Sequence, residues 1–276
     1  MNVERPSGEI RVWPTVSIIT VCFNSARTIR ETIDSVITQE YPTIQYIIVD
    51  GGSVDGTVDI VREYDDQIDI FICEPDHGIY DAMNKGIRAA TGDVVGMLNS
   101  DDFYTDPHAV SDLMGALCER DVDAVFADLV YVDQVDTSRV CRYYDSGRWR
   151  PSRFRFGWMP AHPTFFIKRE WYERYGLFSL DYRIAADFEM LVRLLHTGRA
   201  SYTYVARPIV KMRRGGTSTS GFKHSLLLNR EIVRACRDNG IWTTLLLVLL
   251  KIPAKLLEIV PGRRDLGGTQ PGKAGT

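Results

Sequence analysis

From Val16 onward, short β-branched runs alternate with segments of helical periodicity, and no other feature of the sequence restricts the fold so strongly. "VSIITVCF" is strand-like, and "ARTIRETIDSVITQ" after it spaces Ile29, Ile33, Val36 and Ile37 along one helical face. The strand-like "IQYIIVD", "IDIFICE" and "VVGMLN" then alternate with the helix-like "TVDIVREY" and "IYDAMNKGIRAA". A βαβαβαβ order with right-handed crossovers predicts an α/β fold: a mainly parallel, Rossmann-like central sheet flanked by helices on both faces. Ligands of such sheets bind beyond the carboxyl ends of the strands. Here Asp50 follows the second strand, Glu74 and Asp76 the third, and Asp101 and Asp102 the fourth, so one edge of the sheet should be lined with acid.

Beyond Pro107 the pattern is less regular. "AVSDLMGALCE" reads as a helix, with Asp106 as its N-cap; "DAVFADLVYVD" and "SRVCRYY" read as strands able to pair. "GRWRPSRFRFGWMP" is an irregular loop whose arginines and aromatics, Trp149, Phe154, Phe156 and Trp158, either contact a ligand or belong to the core. "PTFFIKR" should be a strand, "EWYERYG" a short helix, "AADFEMLVRLLHTG" a helix ended by Gly198, and "SYTYVARPIVKMRR" a strand pair broken at Pro208. The C-terminal "GIWTTLLLVLLKIPAKLLEIVPGRR" is leucine-rich but too short in its apolar run to span a bilayer, for which about 20 residues are needed. It should lie on a membrane or pack on its own domain. The divisions expected are a lead at 1–15, a main α/β domain at 16–220 with halves 16–106 and 107–220, a helical extension at 221–260, and a flexible tail at 261–276.

With 276 residues, 45% hydrophobic and 25% charged, the chain can bury a sizeable core, and its net charge of -3 gives no reason to expect nucleic acid as partner. Five scattered cysteines without a CxxC pair suggest neither zinc nor a disulfide framework, and the polar N-terminus lacks a signal peptide's apolar stretch, so a cytoplasmic protein is expected.

Two adjacent carboxylates at the end of a buried run need neutralising, and their hard oxygens suit Mg2+ or Mn2+. The bland alternative for Asp101 and Asp102 is a solvated turn or a cap. In "VDGGSVDGT" glycines permit close backbone approach and Asp55 can cap the next helix. The loop is neither a GxGxxG fingerprint nor a Walker A motif. Asp50 could accept hydrogen bonds from a base or ribose.

Four blocks in order, "VSIITVCFNSARTIRETIDSVITQEYP", "IIVDGGSVDGT", "GIYDAMNKGIRAATGDVVGMLNSDD" and "RIAADFEMLVRLL", resemble the family 2 glycosyltransferases of the GT-A fold, of the bacterial cell-surface polysaccharide and glycolipid type. The resemblance runs from Val16 to Arg214. It implies that Ser100, Asp101 and Asp102 bind a divalent cation and the donor diphosphate, with Asp102 the direct ligand and Asp101 nearer the ribose or sugar. It maps the nucleotide pocket onto Thr20, Cys22, Asn24 and Asp50; where many members have two successive aspartates, this chain has Asp50 followed by Gly51. Lys85 would face donor phosphate, with a plain surface lysine as the alternative. Asp187 falls on the catalytic base, supported by Glu189, with an acid that only stabilises its helix as the alternative; His162 lies near the acceptor or is a satisfied core histidine, and Trp158 of the aromatic loop could stack on an acceptor sugar. Arg213 and Arg214 open a glycine-rich segment, "RRGGTSTSG", with the composition of a lid that contacts diphosphate.

The activity so implied is inverting, metal-dependent transfer of one sugar from a UDP-, GDP- or dTDP-sugar to a glycan hydroxyl; the leucine- and lysine-rich C-terminal segment adds the expectation of a lipid-linked acceptor and of peripheral contact with the cytoplasmic face of a membrane. A nucleotidyltransferase should show a basic, glycine-rich loop after the first strand, and "CFNSARTI" is not one. A sugar-nucleotide-binding protein without turnover is the non-enzymatic alternative.

Overall fold

The computed structural model describes residues 13–215 and 222–251. Its first half follows the alternation: β1 (Val16–Cys22), α1 (Ile29–Ile37), β2 (Ile44–Asp50), α2 (Thr57–Arg62), β3 (Ile70–Cys73), α3 (Ile79–Ala89) and β4 (Val94–Met97). Strand β1 is buried along its whole length, the signature of a strand covered on both faces. β1 pairs in parallel with β2 and β4, and β2 with β3.

The remaining elements are β5 (Asp102–Tyr104), α4 (Ala109–Arg120), β6 (Ala124–Val132), β7 (Val140–Tyr144), β8 (Phe166–Lys168), α5 (Glu170–Tyr175), α6 (Ala186–Val192), β9 (Tyr202–Arg213), α7 (Phe222–Asp238) and α8 (Leu245–Leu249). They extend the same sheet in the order β3-β2-β1-β4-β8-β6-β9-β5, with β7 paired to β6. Both expected halves therefore contribute to one sheet. Two apolar cores cover its faces, one built around Ile19, Val21, Phe126 and Phe188, the other around Ile18, Ile33, Tyr46 and Leu113.

Four local expectations are corrected. The segment through Pro208 is one strand, because β9 skips register opposite Ala127 and Asp128, and a bulge tolerates a residue without an N–H. "PTFFIKR" begins as a helical turn at His162–Thr164 before β8. The helix after α6 widens into a π-turn at Arg193–Thr197. Asp106 is not the cap of α4: it binds the His108 amide at 2.9 Å and the Arg207 guanidinium at 2.6 Å. Trp149 and Phe154 resolve to the core alternative, packed on each other 4.9 Å apart.

Helices α7 and α8 pack on the turn at Pro151–Phe156 through Val248 and through Thr243, whose hydroxyl donates to the Arg155 carbonyl at 2.5 Å. Among the described residues no helix is long and apolar enough to cross a membrane. Residues 1–12 of the lead, 216–221, the end of the helical extension from 252 and the tail lie outside the described residues.

Candidate active site

The parallel strands end level, with Cys22 opposite Asp50 and Asp50 opposite Cys73. Asp50 is fully buried and its carboxylate is spent on its own loop. It accepts from the amides of Gly52 and Ser53 at 2.9 and 2.8 Å, from the Ser53 hydroxyl at 2.5 Å, and from the thiols of Cys22 and Cys73 at 3.4 and 3.6 Å. These bonds give the Asp50 carboxylate a role in shaping the loop after β2. Burial and the Asp50 charge push the Cys22 thiol far up. Thr20 is also fully buried, accepting from the Tyr46 hydroxyl at 3.1 Å. Strand alternation turns Thr20 and Cys22 toward the face covered by α1.

Asn24 does reach the surface, at a φ of +50°, where its side chain accepts from the Val54 amide at 3.0 Å. Ser25 next to it shares a hydroxyl hydrogen bond of 2.8 Å with Ser100. The loops after β1, β2 and β4 are thereby tied together. Lys85 holds Glu74 at 2.9 Å and the Pro75 carbonyl at 2.8 Å, so it braces the loop after β3. That loop carries Asp76, which packs so closely on the backbone of Gly51 that a Cβ there would lie 2.3 Å from its Oδ2. A second aspartate side chain in place of Gly51 would collide with Asp76, which occupies that space from the neighbouring strand.

Asp102 is the most unusual group at this edge. Its side chain is fully buried and neither carboxylate oxygen has a partner at full hydrogen-bond geometry, although the Asn99 side chain and the Arg213 amide stand close enough to favour its charge. Burial, then the Asp101 charge, raise its pKa well above the carboxylate range, and Arg213 works against them. Asp101 is part-exposed and is also raised, by burial. The backbone of Asp102 is fixed, its carbonyl accepting from Thr32 on α1 at 2.8 Å. Arg213 is not a lid residue: it is buried, ion-paired with Glu31, donates to the Asp101 carbonyl at 2.7 Å and lies 4.8 Å over the Phe103 ring. It clamps the acidic turn. Arg214 is exposed just beyond the end of β9, and the rest of the expected lid lies outside the described residues.

A buried carboxylate with neither oxygen in a full hydrogen bond needs a proton or a cation. Among the described residues there is no group of three or more His, Cys, Asp or Glu able to hold a metal ion. Two adjacent carboxylates are hard oxygen ligands, and ions of the magnesium type commonly take their remaining ligands from phosphate and water.

Asp187 stands in the first turn of α6, on a segment held from the far side. Glu231 of α7 accepts from three consecutive amides, Arg183, Ile184 and Ala185, each at 2.9 Å. Tyr80 of α3 donates to the Ile184 carbonyl and reaches Asp187 Oδ1 at 3.5 Å. Burial pushes the Asp187 carboxyl up to about 6, outweighing the Phe188 amide and the Tyr80 hydroxyl that favour its charge. The helix N-terminus thus does not keep this acid strongly ionised. Tyr80 stacks 5.6 Å from Phe178, and His162 meets the same ring edge-on at 5.7 Å. His162 is buried and pushed down to about 4, so it is neutral at physiological pH. Glu189 does not support Asp187; it is paired with Arg193 at 2.9 Å and bound by Asn239. Trp158 is half-buried against the core, its carbonyl accepting from the Trp149 indole at 3.1 Å.

The glycosyl transferase family 2 model matches residues 17–178. The chain belongs to that family. The matched residues include Asp50, Asp101, Asp102 and His162 and stop short of Asp187. A PGL/p-HBAD biosynthesis glycosyltransferase of Mycobacterium bovis is 30% identical over 183 residues, covering 65% of this chain and 69% of the relative. Solved structures share the fold at lower identity. S. aureus TarS superposes with a TM-score of 0.61 at 17% identity, covering 83% of this chain; this chain spans only 40% of that one. A mannosyltransferase from Pyrobaculum calidifontis, solved with GDP-Man and Mn2+, gives a TM-score of 0.59 at 18% identity over 91% of this chain and 82% of that one.

Two residues of this glycosyltransferase escape sequence reasoning. Tyr80 sits in the quoted block "GIYDAMNKG" but reads as an ordinary helical aromatic, and Glu231 belongs to a helix that carries no motif. Both act across more than a hundred or about fifty residues of sequence, which only the fold brings together.

Proposed function

We propose that this enzyme moves one sugar from a nucleoside diphosphate donor to a hydroxyl of a glycan or lipid-linked acceptor in the making of a cell-surface glycolipid or polysaccharide, with inversion at the anomeric carbon. The glycolipid relative supports the acceptor class. The GDP-Man and Mn2+ of the mannosyltransferase structure support a nucleotide-sugar donor and a divalent cation. The observation that carries the reading is the fully buried carboxylate of Asp102, with neither oxygen in a full hydrogen bond, beside Asp101 at the carboxyl edge of the sheet.

Asp102 and Asp101 would hold Mn2+ or Mg2+, which supplies charge neutralisation to a diphosphate leaving group when bound. Asn24 and Ser100 border the same edge from the adjoining loops. Asp187 takes the proton of the acceptor hydroxyl; a carboxylate titrating near 6 is a stronger base than an ordinary one and is still ionised at neutral pH. Tyr80 and Glu231 hold its segment in place. Attack in a single displacement, opposite the leaving group, inverts the centre.

The test uses radiolabelled UDP-, GDP- and dTDP-sugars with a lipid extract as acceptor source. Asp187→Asn should bind donor as the parent does and lose transfer by on the order of 10²- to 10⁴-fold. Near-normal turnover removes Asp187 as the base.

A further inference from the structure

Away from the sheet edge, α7 and α8 carry a surface that the transfer reaction does not use. Arg230, Arg234 and Arg237 recur at helical spacing on α7, and with Val233, Asp238 and Leu245 they line an open groove of about 500 Å³. Arg234 is committed to Asp238 at 3.3 Å and to the Asp181 carbonyl at 3.3 Å. Arg230 and Arg237 are exposed. Beside the groove, the turn into α8 and α8 itself expose Trp242 at 68%, Leu246 at 72% and Leu250 at 54%, three large apolar side chains four residues apart. Arg155 lies 5.4 Å over the Trp242 ring, adding a fourth guanidinium.

We propose that this face docks onto an anionic lipid bilayer, with the arginines against lipid phosphates and Trp242, Leu246 and Leu250 in the headgroup region. Charge complementarity selects the occupant. The whole chain carries a net charge of -3 and is not drawn to an anionic surface as a body, so attraction has to be local, and it is local here. Exposed leucines and an indole bordered by arginines form the amphipathic pattern of interfacial helices, in which basic groups and a buried apolar face act together. Orientation follows from the same helix: Glu231, between the arginines, grips the segment that leads into Asp187, and Arg234 binds Asp181. A bilayer on this face therefore lies against the support of the acceptor-side acid. The surface stands apart from the acceptor reading, since vesicle binding is measured without any sugar donor.

The experiment is co-sedimentation of the full chain with vesicles of phosphatidylcholine alone and with phosphatidylglycerol added, at low and high salt. Binding should need phosphatidylglycerol and weaken with salt. Arg230→Ala with Arg237→Ala should reduce partitioning about 30-fold, taking roughly fivefold for each basic residue near the surface. Trp242→Ala with Leu246→Ser should also release the protein while leaving its thermal unfolding unchanged. Equal binding to both vesicle types overturns the proposal. So does parent-like binding by the arginine pair, which would place attachment elsewhere in the chain. A dimer in light scattering that Trp242→Ala dissolves would show that a second copy, and not lipid, covers the face.

Discussion

Replacing the proposed base should make the protein more stable, and the gain should depend on pH. In the folded chain Asp187 titrates near 6 instead of 3.8, mainly because burial penalises its charge. A carboxyl whose folded pKa is raised contributes stability that is fully present below its unfolded pKa and is lost as pH rises through the folded one. Between about pH 4 and pH 6 the parent therefore gives up stability that Asp187→Asn keeps, because asparagine stays neutral and its carbonyl can still accept from the Phe188 amide, now at 2.7 Å. The shift of about two units corresponds to about 3 kcal/mol at 1.36 kcal/mol per unit, and partial access to solvent reduces this to about 2 kcal/mol. In a chain of this size that is roughly 4 to 8 °C in Tm. Unfolding of both proteins would be followed by circular dichroism from pH 4 to 8 without divalent cations. The curves should coincide near pH 4 and separate by pH 7, the variant above the parent. A variant that is less stable at pH 7, or a difference that does not change with pH, would refute the assignment of a desolvated carboxylate at this position.

Tyr80→Phe removes a hydroxyl that favours the charged form of Asp187, so the acid limb of the rate profile should move to higher pH, with about 1 kcal/mol lost in stability; an unmoved limb means that Tyr80 does not act on the base. Glu231→Ala leaves three amides without their acceptor and should cost about 3 kcal/mol, lowering kcat with little change in donor KM, while Glu231→Gln restores part of both; urea unfolding and steady-state kinetics measure the two effects. Gly86→Ala should destabilise by roughly 1 to 3 kcal/mol in urea unfolding despite alanine's helix preference, because its Cβ would lie 2.3 Å from Ile19 Cγ2 where α3 packs on β1.

The parallel half of the fold is legible because each strand from β1 to β4 is a short run rich in apolar, mostly β-branched residues and each helix between them has its own periodicity. The second half is harder to read because β5, β8 and β9 take their places by long-range pairing, and Pro208 suggests an end where the bulge supplies a continuation. The acids at the carboxyl edge follow from topology alone, and Asp101, Asp102 and Asp187 stand where an acidic edge and a helix start put them. What sequence does not give is side-chain direction. Asp50, Arg213 and Glu189 have the right chemistry for ligands but spend it on Ser53, Glu31 and Arg193. Tyr80 and Glu231 gain their part only by contact with the segment before Asp187.

In the proposed reaction Asp101 and Asp102 form a cation-dependent seat for a nucleoside diphosphate. The most direct measurement is thermal unfolding of the parent and of Asp102→Asn with UDP, GDP and dTDP, each with and without Mn2+. At about a hundred times its dissociation constant the matching nucleotide should add roughly 2.7 kcal/mol to the parent, only with Mn2+ present, and nothing comparable to Asp102→Asn. An equal shift in both proteins, or a full shift in the parent without the metal, would contradict it.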